Sequence, residues 1–263
     1  MKLKNINNLE KIAKTIRQDS FQMLQRKGGG HFGGAFSCAE ILSVLYGHII
    51  KDDDRFILSK AHAGVALYSV LSQCGNLERS VLETYGEDDS TLGIHGESHF
   101  VPGVELSCGS LGHGLSFACG LALGKKKKKE PGNIYVLLGD GECQEGSVWE
   151  AGLFASQHKL SNLIAIIDCN KKQSSGLVKN ILDIEPLLMK WESFGWDTVK
   201  VNGHSINGLI TAINKAEKSE VNPTMIIANT IKGKSVDFLE EKEDCHYDRL
   251  NDEQSAIAWK AIK

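Results

Sequence analysis

Residues 134–171 read IYVLLGDGECQEGSVWEAGLFASQHKLSNLIAIIDCNK. A short apolar run over 134–138 stops at the triplet Gly139, Asp140, Gly141. Apolar residues then recur at helical spacing over 148–159, and a second, β-branched run covers 163–167 before Asp168, Cys169 and Asn170. A strand, a helix and a second strand joined in this way form a crossover unit whose strands lie parallel. An acidic turn therefore ends one strand and an asparagine ends the next, both at the carboxyl edge of the sheet. Open α/β sheets bind their ligands at that edge.

Working outward, further strand-like runs fall at 199–201 and 225–228, and helical spacing recurs over 62–73, 111–124, 206–218 and 252–262. Most of these helical stretches carry Gly, Pro, Asn or Ser near their ends. The alternation predicts an α/β fold, a mostly parallel sheet with helices on both faces. The amino-terminal stretch interleaves charges with Leu9, Ile12, Ile16 and Leu24, which describes an amphipathic helix and not a signal peptide. No internal repeat or linker-like composition divides the chain, so one domain over 1–263 is expected. The run Lys125 to Lys129, followed by Glu130, Pro131 and Gly132, sits between a helix and a strand and reads as a solvated loop.

Thirty basic and 33 acidic residues among 263 leave a net charge of −3, too balanced to hold nucleic acid or an anionic membrane through a global field. Any anion site must be local. The seven cysteines are odd in number, scattered, and include no CxxC pair, which argues against a disulfide framework or a zinc cluster and for a reducing cytoplasm. No apolar run approaches the ~20 residues of a membrane span.

The chemistry is concentrated around Asp140. Gly139 and Gly141 let the backbone turn sharply and a bulky anion come close while the carboxylate stays available as a hard oxygen ligand. Asn170 adds an amide oxygen from the neighbouring strand end, and main-chain carbonyls with phosphate oxygens complete an octahedron suited to Mg²⁺. A lone GDG would be an ordinary tight turn; its pairing with Asn170 across two strand ends is what points to a ligand site. The glycine loop GSLGHG, residues 109–114, is no dinucleotide fingerprint, because it does not follow a strand as GxGxxG with an acidic residue ending the next strand.

GDG followed at this distance by a strand and DCNK resembles the diphosphate-binding motif of thiamine diphosphate enzymes, and Gln144, Glu145 and Gly146 narrow the resemblance to transketolases. It extends over nearly the whole chain. His31 lies in GGGHFGG, similar to the family's GHxGG signature with Phe32 in place of a common proline. His62 in LSKAHA matches the LSxGHA histidine, with Ala61 replacing glycine. His95 stands seven residues before Pro102, the spacing of separately encoded amino-terminal subunits, and His99 competes with it. His246 matches the family's WHG histidine, although Tyr247, Asp248, Arg249 and Leu250 replace the glycine and later proline expected there. A single histidine is more often structural; four in register with one family point to function.

The resemblance implies a thiamine diphosphate-binding fold that holds the diphosphate half of the cofactor. It implies Asp140, Asn170 and the main-chain carbonyl of Lys172 as ligands of Mg²⁺, with Ca²⁺ or Mn²⁺ able to replace it. Gly139, Gly141 and Glu142 of the acidic turn and Gly109, Ser110 and Leu111 of the glycine loop are implied against the cofactor. His62 and His246 are implied both there and, with His31 and His95, in catalysis. His113 either touches the cofactor or caps a helix, and Glu145 is implied at a subunit interface. The implied reaction moves a two-carbon ketol unit from a ketose or its phosphate to an aldose or its phosphate. The implied partner is a separately encoded pyrimidine-binding carboxy-terminal subunit carrying the activating glutamate, in an α2β2 assembly. Two other readings stand beside this one: a non-catalytic homologue, and one subunit of a thiamine-dependent 2-oxoacid decarboxylase or dehydrogenase.

Overall fold

The computed structural model describes residues 6–263. Helix α1 (Ile6–Arg26) leads through α2 (Phe32–Ser37) and α3 (Ala39–Val44) to strand β1 (Arg55–Leu58) and helix α4 (Gly64–Gln73). A long irregular stretch precedes α5 (His113–Lys128), β2 (Ile134–Gly139), α6 (Gly146–Gln157) and β3 (Leu163–Cys169). A small hairpin, β4 (Lys172–Gln173) with β5 (Gly176–Leu177), and two short helices, α7 (Val178–Ile181) and α8 (Leu187–Ser193), follow. The chain then runs through β6 (Asp197–Asn202), α9 (Ile206–Ala216), β7 (Thr224–Asn229), α10 (Asp237–Glu241) and α11 (Asp252–Ile262).

The main sheet has the order β1-β2-β3-β7-β6, and every pairing in it is parallel. Alternate side chains feed two cores. Tyr135, Leu137, Ile164, Ile166 and Ile226 face α1, α4, α9 and α11, whereas Val136, Leu138, Ala165, Ile167 and Ile227 face α5, α6 and α8. Strands buried on both faces read as unbroken apolar runs, which is why β2, β3 and β7 are visible in the sequence. The register sets Gly139 beside Asp168 and Cys169 beside Asn229. Asp140, Asn170 and Thr230 therefore leave the sheet side by side at one edge.

Several boundaries differ from expectation. The lysine run is not a loop. Lys125 to Lys128 form the last turn of α5, where long unbranched side chains favour the helix and cations meet the negative end of its dipole; only Lys129, at φ 57°, terminates it. Strand β1 was not expected, since RFIL offers only four residues before SKAH. Helix α11 agrees residue for residue, set by a capping box in which Asn251 and Gln254 bond each other's main chain. Among the described residues no helix is long and apolar enough to cross a membrane.

Candidate functional site

Asp140 leaves β2 into a 3-10 turn and is only 3% exposed. Its carboxylate accepts from the main-chain N–H of Gly141 at 2.9 Å and from that of Lys171, and no cationic side chain pairs with it among the described residues. Burial and the nearby Asp168 carboxylate push its pKa up to about 6. A buried carboxylate without a cation is expensive, and the chain has left this one open. Asn170 lies beside it, 8% exposed, with Oδ1 accepting from Lys172 N at 3.2 Å. The turn between them is tight, and Lys171 adopts the left-handed conformation at φ 66°. The buried Oε1 of Gln173 has no hydrogen-bond partner, and a Cβ on Gly141 would come within 2.8 Å of it. A cavity of about 370 Å³ opens beside Asp140, lined also by Lys171, Val178, Lys179 and Leu187.

Beneath this edge lies a buried ion pair between Lys60, 1% exposed, and Asp168, 0% exposed. Asp168 also accepts from Ser37 Oγ at 2.6 Å, from Thr230 Oγ1 and from Asn170 Nδ2 at 3.3 Å, while Lys60 donates to Gly34 O at 2.9 Å. One carboxylate thus ties together α2, the Asn170 turn and the loop after β7. Lys60 bonds Asp168 and acts on Asp140 only through space, which leaves Asp140 without a bonded cation among the described residues.

The structure brings three of the four expected histidines together. His31 precedes α2, His62 sits in the turn before α4, and His246 lies between α10 and α11. Their ring centroids are 5.5 Å apart for His31 and His62, 4.9 Å for His31 and His246, and 4.9 Å for His62 and His246. Glycines make this possible. A Cβ on Gly34 would press to 3.1 Å from His62 Cδ2, and one on Gly33 would meet Cys245 O at 2.6 Å. Burial, helped by nearby positive charge, lowers His31 to about 4 and His246 to about 3, and holds His62 well below its usual value. All three are neutral imidazoles near pH 7.

Lys232, 2% exposed, joins the two halves. Its Nζ donates to the carbonyl of Lys172 at 3.0 Å and to His246 Nδ1 at 3.0 Å. With Nδ1 accepting, neutral His246 carries its proton on Nε2. Burial lowers Lys232 to about 8.

Glu142 is 2% exposed, and its carboxylate is spent inside the protein. It accepts from Gly112 N at 2.9 Å, from Gly139 N at 3.0 Å and from Ser59 Oγ, and so clamps the glycine loop to the acidic turn. Ser147 Oγ adds a bond to Gly112 O at 2.9 Å. Gly109, Ser110 and Leu111 form the open lip of that loop. His95 faces it, since a Cβ on Gly109 would stand 3.6 Å from His95 Nδ1, and its charge bears on His31. His99 is exposed, so the geometry favours His95. His113 is the exposed first residue of α5 and makes no hydrogen bond among the described residues. Glu145 is exposed beside Gly112 at the start of α6.

Sequence reasoning passed over Lys60, Asp168 and Lys232. Asp168 carried a signal, a charge closing an otherwise apolar strand, and Lys60 stood two residues from a histidine already singled out. Lys232 resembles any loop lysine until the fold buries it. A larger cavity, about 500 Å³, lies at the opposite end of β1, lined by Tyr46, His48, Lys51, Phe56 and Cys74. Its buried acid, Asp54, is already bonded to the N–H groups of Lys51 and Asn133.

The domain family described as transketolase, thiamine diphosphate binding domain, matches residues 8–262. The chain is 37% identical over 263 residues to the 6-deoxy-6-sulfo-D-fructose transketolase subunit SqwG of Clostridium sp. (strain MSTE9), covering 97% of this chain and 94% of that one. It is 39% identical over 267 residues to an apulose-4-phosphate transketolase subunit from Actinobacillus succinogenes, covering 98% and 96%. The crystal structure of the transketolase from Campylobacter jejuni superposes with a TM-score of 0.90 at 33% identity, over 98% of this chain and 43% of that one. The chain spans less than half of that longer protein and nearly all of the two relatives named as subunits.

Proposed function

This chain belongs to the transketolase thiamine diphosphate-binding family as a diphosphate-binding subunit of a transketolase-type enzyme, and from that premise we propose how its residues divide the work. The observation that carries the proposal is the buried Asp140 carboxylate, bonded to no cationic side chain among the described residues, beside Asn170, with Lys232 linking the Lys172 carbonyl of that turn to the cluster of His31, His62 and His246. Among the described residues no group of three or more His, Cys, Asp or Glu side chains is placed to hold a metal ion, so a cation here would draw its ligands from mixed oxygen donors. Asp140, Asn170 and the Lys172 carbonyl would hold Mg²⁺, or Ca²⁺ or Mn²⁺ in its place, as hard oxygen donors beside the cofactor diphosphate. The Lys172 carbonyl, already bonded to Lys232, keeps a second lone pair for the metal. The glycine at 141 makes room for the Gln173 side chain, whose buried Oε1 has no hydrogen-bond partner among the described residues.

Thiamine diphosphate, when bound, supplies the carbon nucleophile and electron sink that carry the two-carbon unit. The chain supplies position and protons. Gly139, Gly141 and the Gly109–Leu111 lip let main chain approach the cofactor, and Glu142 keeps lip and turn in register. His62 and His246 border the cofactor, and with His31 and His95 they donate and accept hydrogen bonds at the sugar hydroxyls and carbonyl oxygen. Neutral imidazoles suit that work, because each offers one donor and one acceptor. His246, with its proton on Nε2, is set to donate.

The partner is a pyrimidine-binding subunit encoded separately, meeting this chain at the site edge near Glu145 in an α2β2 assembly in the cytoplasm. Substrates are ketoses and aldoses carrying an anionic group, in keeping with the sugar phosphate and sulfosugar in the relatives' names. The test is ketol transfer from a panel of ketose phosphates and ketose sulfonates to aldose acceptors, with this chain alone and with the neighbour-encoded subunit. Transfer is expected only with both; full turnover by the pure chain refutes the split site, and none by the pair refutes the proposed activity.

A further inference from the structure

The segment after His246 runs as a short extended piece against the residues before α2. Gly30 N donates to Asp248 O at 2.9 Å, and Asp248 N donates to Gly30 O at 3.0 Å, an isolated antiparallel bridge. Antiparallel register then makes His31 and Tyr247 cross-strand neighbours on the face opposite Gly30 and Asp248, and likewise Gly29 and Arg249. The register is locked. Asp248 is 6% exposed and bonded by Lys242, while a Cβ on Gly29 would lie 2.6 Å from Asp248 O and 2.7 Å from Arg249 Cγ. Gly29 and Gly30, at φ 137° and 156°, hold conformations that other residues rarely adopt.

The consequence is a fourth ring on the histidine cluster. Tyr247 stands edge-on to His31, with centroids 5.3 Å apart and planes at 89°. It is 49% exposed, so it forms the outer rim of the site. Its phenolic hydroxyl makes no hydrogen bond among the described residues, and a Tyr hydroxyl both donates and accepts. A rigid ring anchored on one side and a free hydroxyl on the other make a wall that can read a polyhydroxylated chain.

We infer that Tyr247, held against His31 by the Gly30–Asp248 bridge, is a specificity-determining residue for the sugar substrate. Its ring narrows the space beside the three histidines, and its hydroxyl bonds a hydroxyl of the substrate's open chain. The inference rests on the proposed ketol transfer and adds which part of the substrate this chain reads.

The test uses the two-subunit complex with wild-type chain, Tyr247→Phe and Tyr247→Ala. The readout is kcat/KM for glycolaldehyde and for a five-carbon aldose phosphate, with one ketose donor that supports wild-type transfer. Tyr247→Ala is expected to shift the ratio of the two acceptors about tenfold or more. Tyr247→Phe, which keeps the ring, is expected to lower kcat/KM for the longer acceptor by roughly 3- to 10-fold with little change for glycolaldehyde. Ratios unchanged within about twofold in both variants overturn the inference, as do equal losses on both acceptors, which would mark a merely structural residue. The ring contact is checked on the isolated chain by NMR. The His31 ring protons should move in Tyr247→Ala and stay near wild type in Tyr247→Phe, and an unmoved His31 overturns the contact itself. Absence of transfer by the wild-type complex with every donor defeats the proposed activity and this inference with it, whereas normal transfer with flat ratios defeats this inference alone.

Discussion

Replacing Lys60 with methionine keeps the length of the side chain and removes its charge. Asp168 would be left at 0% exposure with Ser37, Thr230 and Asn170 as donors and no cation. Breaking a buried ion pair from one side costs about 3–5 kcal/mol, because the surviving charge is neither solvated nor paired. The three remaining hydrogen bonds exist already in the wild type and offset nothing new. The Gly34 carbonyl loses one donor but stays within reach of Ser37 Oγ at 3.1 Å, so it adds little. Against a typical domain stability of about 5–15 kcal/mol, this is a large fraction.

The assay is urea unfolding of the isolated chain followed by circular dichroism, at one protein concentration. Lys60→Met is expected to lower the midpoint by an amount equivalent to about 3–5 kcal/mol with an unchanged slope. The double variant Lys60→Met/Asp168→Asn removes both charges and should recover at least about 1 kcal/mol of that loss. A single-variant loss below about 1 kcal/mol, or a double variant as weak as the sum of the singles, would refute the pairing as the element that holds the site together.

Asp140→Ala is expected to abolish Mg²⁺-dependent binding of thiamine diphosphate in the presence of the partner while leaving the chain folded, and Asn170→Ala to weaken it less; wild-type affinity by calorimetry in the Asp140 variant would count against the metal assignment. Alanine variants of His31, His62 and His95 are expected to keep most cofactor affinity and lose roughly 10²-fold in turnover, read by steady-state kinetics of the complex. The buried neutral histidines also predict acid sensitivity of the chain without cofactor. Their folded pKa values lie below the unfolded 6.5, so the unfolded state binds more protons and stability falls as pH drops below that value. At pH 5, after allowance for partial exposure, His31 contributes a loss of about 1–2 kcal/mol and His62 a loss of the same sign, and His62→Gln should flatten the dependence of the urea midpoint on pH.

The parallel sheet was legible because β2, β3 and β7 are buried on both faces and cannot afford polar residues inside the run. The edges were harder. β6 has one wet side, so only its middle reads as a strand, and β1 is too short to leave a pattern. The lysine run misled because charge suggests solvent, and a solvent-facing helix end satisfies that as well as a loop does. At the site, Asp140 was legible from its flanking glycines, Asn170 from its place at the end of the next strand, and the histidines from their register with the family, helped at His31, His62 and His95 by nearby glycines. Lys60 and Lys232 were not, because what makes them important is burial, and burial of a lysine is decided by which elements the fold brings over it. Glu142 was legible as part of the acidic turn, yet its clamp on Gly112 depends on a contact thirty residues away in sequence.

If the proposed assignment holds, the charges at this edge would make metal and cofactor anion suit the site better together than apart. Lys60 is committed to Asp168, and Lys232 to the Lys172 carbonyl and His246, so neither is free to neutralise Asp140. A divalent cation alone would satisfy Asp140 but add two positive charges beside two buried ammonium groups. A diphosphate alone would find those ammonium groups nearby but face the Asp140 carboxylate across a short, partly dry gap. Bound as a pair, cation and diphosphate cancel most of each other's charge, and each removes the repulsion that opposes the other. Because Lys232 bonds both the Lys172 carbonyl and His246, a cation drawing on that carbonyl also bears on the hydrogen bond that fixes the His246 proton on Nε2. On the proposed assignment, filling the anion site and orienting the His246 proton would be joined through a single buried lysine, Lys232.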